Sequence, residues 1–487
     1  MGRTFEERQR LLVEMLGGGS ASDMRSGTLV VVPSLTFAES ELRKIVGIQF
    51  YEERLLFLLL LLRHPGLRIV FVTSVRVEEP IVDYYLRFVP PSVRRGDRLW
   101  LLALWDPRPL PLTAKLLEDR GALARLRELA QGESCLLTFN VSPLEGRLAD
   151  EVDAPLYGCP PALAHLGSKS GARQVAREAG VAVPRGFEDL RSLDELEWAV
   201  KELCAAFPAP ETAVVKLNDG FSGQGNAIVD LVGDVPLAER HTVFCAREES
   251  WTSFADKIAE QGGVVEELLR APGLASPSVQ MRIAPDGTFE VVSTHDQILG
   301  GPDDQVYLGC RFPADERYRV KIQECGRRVA RVLAARGVVG SFGIDFVIVP
   351  DDPAPYLTEI NLRMGGTTHP FLMAEFATGG TFDEETGDLV AGGRAKHYVA
   401  TDNLKADEYA GLEPEALIAA LDGAGLAFDA RTNTGVLLHL LGALKKHGKV
   451  GMTCVADSAA DAAALLERAT AALDELARAD VGSEQKS

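Results

Sequence analysis

The chain has 487 residues, 46% hydrophobic and 25% charged, an ordinary globular composition and, at about 150 residues per domain, enough for three domains. Its 51 basic and 70 acidic residues leave a net charge of −19, which argues against a nucleic-acid partner or an anionic membrane surface but leaves room for a small anionic ligand in a local basic pocket. The seven cysteines (Cys135, Cys159, Cys204, Cys245, Cys310, Cys325, Cys454) are scattered without a CxxC pair, as expected of reduced thiols in a cytoplasmic protein rather than a disulfide framework or zinc site.

Residues 1–16 are charged and amphipathic and predict a helix rather than a signal peptide; the run Gly17-Gly18-Gly19-Ser20 predicts a flexible linker. Short apolar runs at 28–33, 68–73, 98–105 and 135–139 predict buried strands. Helical patterns separate them, at about 39–63, 81–89 and 116–130. The most apolar stretch, 55–62, has Arg54 and Arg63 at its ends; it is too short to cross a bilayer and predicts a buried helix. Strands alternating with helices imply an open α/β domain over 28–155, after a leading segment at 1–27. No glycine fingerprint follows the first strand, so nucleotide binding is not expected there.

A proline-rich passage near 153–161 predicts a boundary. Helices follow at 168–179, ended by Gly180 and Pro184, and at 190–206. Strands dominate 211–365, broken by one helix near 319–336, and the polar, glycine-rich stretch 381–395 predicts a loop. From Pro414 the chain turns Ala- and Leu-rich, with helices near 414–422 and 458–479 and a strand pair between them. The expected units are therefore 156–395 and a small C-terminal domain, 396–487.

Several segments carry chemistry. Lys216 ends a strand before a loop containing Gly220, Ser222, Gly223, Gln224, Gly225 and Asn226, and a second strand follows. Glycine N–H groups and a lysine charge can converge on phosphate oxygens, but a plain glycine hairpin has the same appearance. Segments 341–349 and 356–364 predict a hairpin across a proline-rich turn. If the turn centres on Asp352, Asp345 sits opposite Glu359, and Glu359, Asn361 and Arg363 share a face. Two carboxylates and an amide oxygen suit Mg²⁺, and an arginine one step along can fork onto phosphate. The run Gly365-Gly366-Thr367-Thr368-His369-Pro370 can position an anion. The polar cluster at 293–297, with His295 and Asp296, is either site lining or a turn. Val264-Val-Glu266-Glu267-Leu268-Leu269 is an apolar strand interrupted by two acids.

In order and spacing, Lys169 on its helix, Lys216, the glycine loop, Glu266–Leu269 and the Asp345…Glu359-x-Asn361-x-Arg363 hairpin resemble the ATP-grasp superfamily over about residues 156–380. Ser276-Pro-Ser-Val-Gln280, the 293–301 and 309–313 segments, 359–370 and the tail 435–449 look like the pheganomycin-type peptide ligases. That resemblance implies an α/β (α+β) chain: a pre-ATP-grasp domain, the ATP-grasp fold and a small C-terminal domain. It implies ATP and Mg²⁺ as cofactors. Lys169 and Lys216 would contact phosphates, residues 220–226 would close over them, and Glu266 to Leu269 would flank adenine. Asp345, Glu359 and Asn361 would hold the metal, and Arg363 would steady the transferred phosphoryl. Where many members have a ribose-binding Glu before a Val, this chain has Ser278, which leaves Glu267 as the stand-in.

The implied reaction joins a carboxylate to an amine or peptide nucleophile through an acyl phosphate, in peptide natural-product biosynthesis. Arg282 and Arg311 are candidates for the substrate carboxylate or oxyanion, and His295 or Asp296 for the amine proton. A kinase of a small hydroxyl substrate and a non-catalytic nucleotide-binding scaffold are the alternatives. A homodimer is left open, as is the role of the C-terminal module bearing His439, His447 and Lys449. If the site takes ATP and a carboxylate, the basic residues are expected to concentrate there.

Overall fold

The computed structural model describes residues 3–91, 97–219, 225–233, 235–246, 249–300, 306–350 and 352–484, with side chains to 479. The first unit is a five-stranded parallel sheet in the order Leu99–Ala103, Gly66–Thr73, Ser26–Val32, Ser134–Thr138, Leu156–Tyr157. Two helix expectations change here. The stretch expected as one helix over 39–63 is a helical turn at Glu39–Leu42 and a run of tight 3₁₀ turns over Ile48–Arg63. Gly47, at φ 71°, breaks the chain between them in a conformation that other residues adopt at a cost. Every side chain from Leu55 to Leu62 is buried, so this run has no solvent face to impose a helical period. The helix expected over 116–130 is two, Leu112–Glu118 and Arg120–Leu129, because the Asp119 carboxylate between them accepts from the Ala122 N–H and caps the second.

The second unit is an antiparallel sheet in the order Gly186–Leu190, Gly263–Glu267, Thr212–Leu217, Asn226–Asp230, Thr242–Phe244. Helices Leu193–Ala205 and Trp251–Gln261 pack on it; the second, not expected from the sequence, is capped by Ser250. The close pairing of the first two strands depends on Gly186, where a Cβ would collide with the Val265 carbonyl oxygen.

The third sheet is the largest. From its edge it runs Pro355–Asn361, Gly340–Ile348, Pro277–Ile283, Phe289–Gly300, Val306–Phe312 and Arg394–Lys405, all antiparallel. Arg394–Lys405 also pairs with Lys449–Ala456, which pairs with Gly435–His439. The sheet is therefore continuous through residue 395. The stretch expected as a loop over 381–395 contains a small hairpin, Thr381–Asp383 with Asp388–Ala391, whose strands are too short to leave a readable alternation. Helix Arg319–Ala335 covers one face of the large sheet.

The largest apolar cluster joins the first unit to the C-terminal one. It runs from the parallel sheet through Leu55–Leu62 into helix Thr368–Thr378 and the last strands. Polar contacts reinforce the junction: the Leu438 N–H donates to Tyr84 Oη (2.7 Å), the Gly442 N–H to Glu53 (2.9 Å), and the Phe50 and His447 rings meet edge-on at 5.8 Å. No helix of the described residues is long and apolar enough to cross a membrane.

Candidate active site

One cavity of about 440 Å³ lies where these units meet. Its first cation comes from helix Lys169–Glu178, whose start is fixed twice. Ser168 Oγ accepts from the Gly171 N–H (3.0 Å), and the Asn218 side chain accepts from the Ser170 N–H (2.9 Å). Asn218 lies two residues past Lys216, so one residue ties the Lys169 helix to the Lys216 strand. Lys169 Nζ pairs with Glu359 at 2.5 Å. Lys216 Nζ lies close against Glu266, whose other oxygen accepts from Arg173 at 2.8 Å. Glu266, Glu267, Leu268 and Leu269 all line the cavity, but Glu267 is engaged at the rim by the Arg185 N–H (2.9 Å) and guanidinium (2.7 Å).

The hairpin Gly340–Ile348 with Pro355–Asn361 carries the acids. Asp345 is directly opposite Glu359. Beyond the turn the pairing is offset by one, and a bulge at Thr358 restores the Asp345–Glu359 register. Asp345 accepts from the Gln297 amide (2.7 Å) and the Asn361 amide (3.1 Å), and Arg363 donates to Asn361 Oδ1 (2.9 Å). Burial, then the Glu359 charge, pushes Asp345 up to about 7. Burial acts the same way on Glu359, but the Lys169 and Arg363 charges outweigh it and hold its carboxyl below the usual value.

The lining contradicts one expectation. Arg54, Lys169, Lys216 and Arg363 are its cations, and Glu266, Glu267, Asp345, Glu359 and Asp402 its carboxylates, so basic residues are not in excess among the described residues. A polyphosphate entering such a pocket needs further positive charge. Asp345 and Glu359, the first pushed toward neutrality by burial and by the second's charge, form the oxygen-donor pair that a divalent cation would accept.

Three arginine and histidine expectations are corrected. Arg282 is outside the cavity, held by Glu290, Ser20 (2.7 Å) and Ser22 (3.2 Å), where it pins the N-terminal linker to the large sheet. Arg311 is exposed on the strand Val306–Phe312. His295 is fully buried among the rings of Phe312 and Tyr398, outside the cavity, its Nε2 2.7 Å from Tyr398 Oη, and burial pushes its pKa down to about 3. Asp296 accepts from Tyr318 Oη (2.5 Å) and the Asp315 N–H (2.9 Å). Of the 293–297 cluster it is Gln297 that reaches the cavity. Gly220, Ser222, Gly223 and Gln224 lie outside the described residues; Asn226 lines the cavity and Gly225 accepts from the Leu217 N–H (2.9 Å).

Sequence reasoning missed the opposite wall: Tyr51 and Arg54 from the first unit, Tyr307, and Asp402 and Asn403 from the strand shared with the C-terminal unit. Arg54 had a faint signal, a charge at the mouth of an apolar run. Asp402 and Asn403 had none.

The comparisons agree with this architecture. A family profile described as "IQCH-like, ATP-grasp" matches residues 234–384, and one described as "PGM1 C-terminal domain" matches residues 416–470. The chain is 34% identical over 449 residues to the L-propargylglycine–L-glutamate ligase of Streptantibioticus cattleyicolor, covering 88% of this chain and 91% of that protein. It is 23% identical over 396 residues to IQ motif-containing protein H of Danio rerio, covering 69% of this chain and 37% of that one. Among solved structures, the biotin carboxylase of Campylobacter jejuni aligns with a TM-score of 0.56 at 16% identity, covering 91% of this chain and 90% of that one. The ADP complex of an N5-carboxyaminoimidazole ribonucleotide synthetase aligns with a TM-score of 0.53 at 13% identity, covering 93% and 97%. At such identities these two speak for the fold alone.

Proposed function

Since the chain belongs to the ATP-grasp peptide ligases, and is with them an ATP-dependent carboxylate–amine ligase, we propose that this one cavity carries the whole reaction. The observation that supports this is the convergence of Lys169, Lys216, Asp345, Glu359, Asn361 and Arg363 with the Glu266–Leu269 segment in a single space. Adenine would lie against that segment. Lys169 and Lys216 would release their carboxylate partners to the phosphates. Asp345, Glu359 and Asn361 would hold Mg²⁺, which when bound neutralises phosphate oxygens and lets two anions approach. Lys169 already occupies Glu359 as a cation, which fits a site awaiting one.

The chemistry needs no protein nucleophile. A substrate carboxylate oxygen attacks the γ-phosphorus and ADP leaves; an amine then attacks the acyl carbon and phosphate leaves. Positioning and charge neutralisation are what a protein supplies to phosphoryl transfer. Arg363, donating to Asn361 beside the acids, is placed to steady the phosphoryl group. With His295 enclosed beside Tyr398 and Asp296 held by Tyr318, neither lines the cavity, and the amine proton would go to water or the departing phosphate. A cytoplasmic setting in natural-product biosynthesis fits a cavity dependent on ATP and cysteines present as thiols.

The test is release of ADP and phosphate in a screen of paired amino acids and peptides, with L-glutamate and L-propargylglycine as the first pair. Turnover should require MgATP, an acid and an amine together. ADP release that ignores the amine would indicate a kinase, and AMP with pyrophosphate would exclude the acyl phosphate.

A further inference from the structure

Arg54 enters the cavity from the first unit, ahead of the buried run that anchors it. Its Nε and Nη2 both reach Asp402 Oδ2, at 2.9 and 2.6 Å, and it makes no other hydrogen bond among the described residues. The Tyr51 ring lies 4.3 Å from the guanidinium carbon, and Tyr51 Oη is held by Lys449 at 2.7 Å. Thus one edge of a planar donor fork is left for the cavity.

A buried assembly holds the far side. Asp402 Oδ1 accepts from His439 Nδ1 (2.8 Å) and His369 Nε2 (3.1 Å), and His439 Nε2 meets Thr453 Oγ1 at 3.2 Å. Asp402 lies at a bulge in the pairing of Arg394–Lys405 with Lys449–Ala456, which re-aims its side chain. Gly451 makes the approach possible, since a Cβ there would collide with His439 Nδ1. Burial pushes His369 down to about 4, so its ring serves as a neutral donor to a carboxylate that is itself held well below the usual range, against the pull of burial, by Arg54 and the two histidines.

The position separates this arginine from the nucleotide. Asp402 is on the strand four over from that of Asp345, about 19 Å along the sheet at about 4.8 Å per strand. From there Arg54 faces the same cavity that Arg363 lines. We infer that Arg54 binds a substrate carboxylate other than the one that is phosphorylated, and that Asp402, His369 and His439 are positioning residues that aim it. This rests on the ligase reading above. The carboxylate belongs either to the incoming amino acid or to a dicarboxylic acyl donor.

Calorimetry on the full chain loaded with MgADP separates the cases. The probes are L-propargylglycine and its amide, and L-glutamate and its α-amide. At least one acid should bind, and its amide at least tenfold more weakly; whichever pair shows the difference identifies the source. Arg54→Gln should weaken binding of that acid at least tenfold with MgADP affinity unchanged, and Arg54→Lys should fall between. Asp402→Asn should weaken it two- to tenfold, again without moving MgADP. The inference is overturned if Arg54→Gln binds the acid like the wild type, if amides bind as well as acids, or if neither acid binds. It is also overturned if zinc chloride binds stoichiometrically and His439→Gln abolishes that, since the cluster would then be a metal site. Failure to bind MgADP would instead remove the ligase reading.

Discussion

The two ends of the cavity are built differently. At the end with the facing acids, every group sits on a short segment of its own: a helix start, a strand end, a hairpin. Asn218 ties the Lys169 helix to the Lys216 strand, and the pairing of one hairpin sets Asp345 against Glu359. At the other end, Arg54 meets Asp402, His369, His439 and Lys449 from more than three hundred residues earlier in the chain, and each is placed by its neighbours. A site of the first kind can be read and altered one segment at a time. A site of the second kind depends on how two units pack.

Four substitutions would break or sharpen that contrast. Glu359→Gln removes one of the facing acids and should lower kcat on the order of a thousandfold, the scale of losing a group that stabilises charge in the transition state. An unchanged melting temperature would place the loss in the site, and unaltered activity would remove Glu359 from the metal set. Phe312→Ala acts behind the other end. Phe312 is fully buried, stacked on Tyr398 at 4.9 Å and 5.3 Å from Phe371. It should cost about 3–5 kcal/mol in urea unfolding and raise KM for the amino acids more than for ATP. An equal rise in both would mean that the two ends are not separately supported.

Lys216→Met deletes a charged partner worth about 1.5–3 kcal/mol and should raise KM for ATP about ten- to a hundredfold, measured at saturating amino acids. The smallest effect concerns His295. Its folded pKa, about 3, lies below the 6.5 of an unhindered histidine, so the unfolded chain takes the proton first. Its contribution to stability is full above pH 6.5 and falls as pH drops toward 3, by about 1.4 kcal/mol per pH unit. Comparing wild type with His295→Asn at pH 6.5 and 5.0 should show a difference of about 2 kcal/mol in pH dependence. Buried Glu52 and Glu53, raised to about 7 and 8 by burial, act in the opposite sense in both proteins and cancel in the comparison. Parallel pH curves would mean that the ring is not excluded from water as the structure has it.

Legibility followed the same division. The parallel strands, the Asp345–Glu359 register and the lysine helix could be read, because apolar runs, alternation and capping residues act over a few positions. Residues 39–63 could not, because a segment buried on all sides carries no period. His295 was misread for a related reason: it shares a face with Gln297, as alternation says, but the rings of Phe312 and Tyr398 enclose it while Gln297 reaches the cavity. Arg282 was drawn to the site by its charge, although Asp23, Ser20 and Glu290 claim it elsewhere.

The sequence by itself determined the family, the two cavity lysines and the facing acids, since these need only residue type and spacing along one or two strands. Tertiary structure decided the charge of the cavity and the wall that carries Arg54 and Asp402. Asp402 is aimed by a bulge and by two histidines, and Arg54 is carried to it on a buried run shared between the first and last units. Such contacts arise from packing between distant segments, and no local pattern records them.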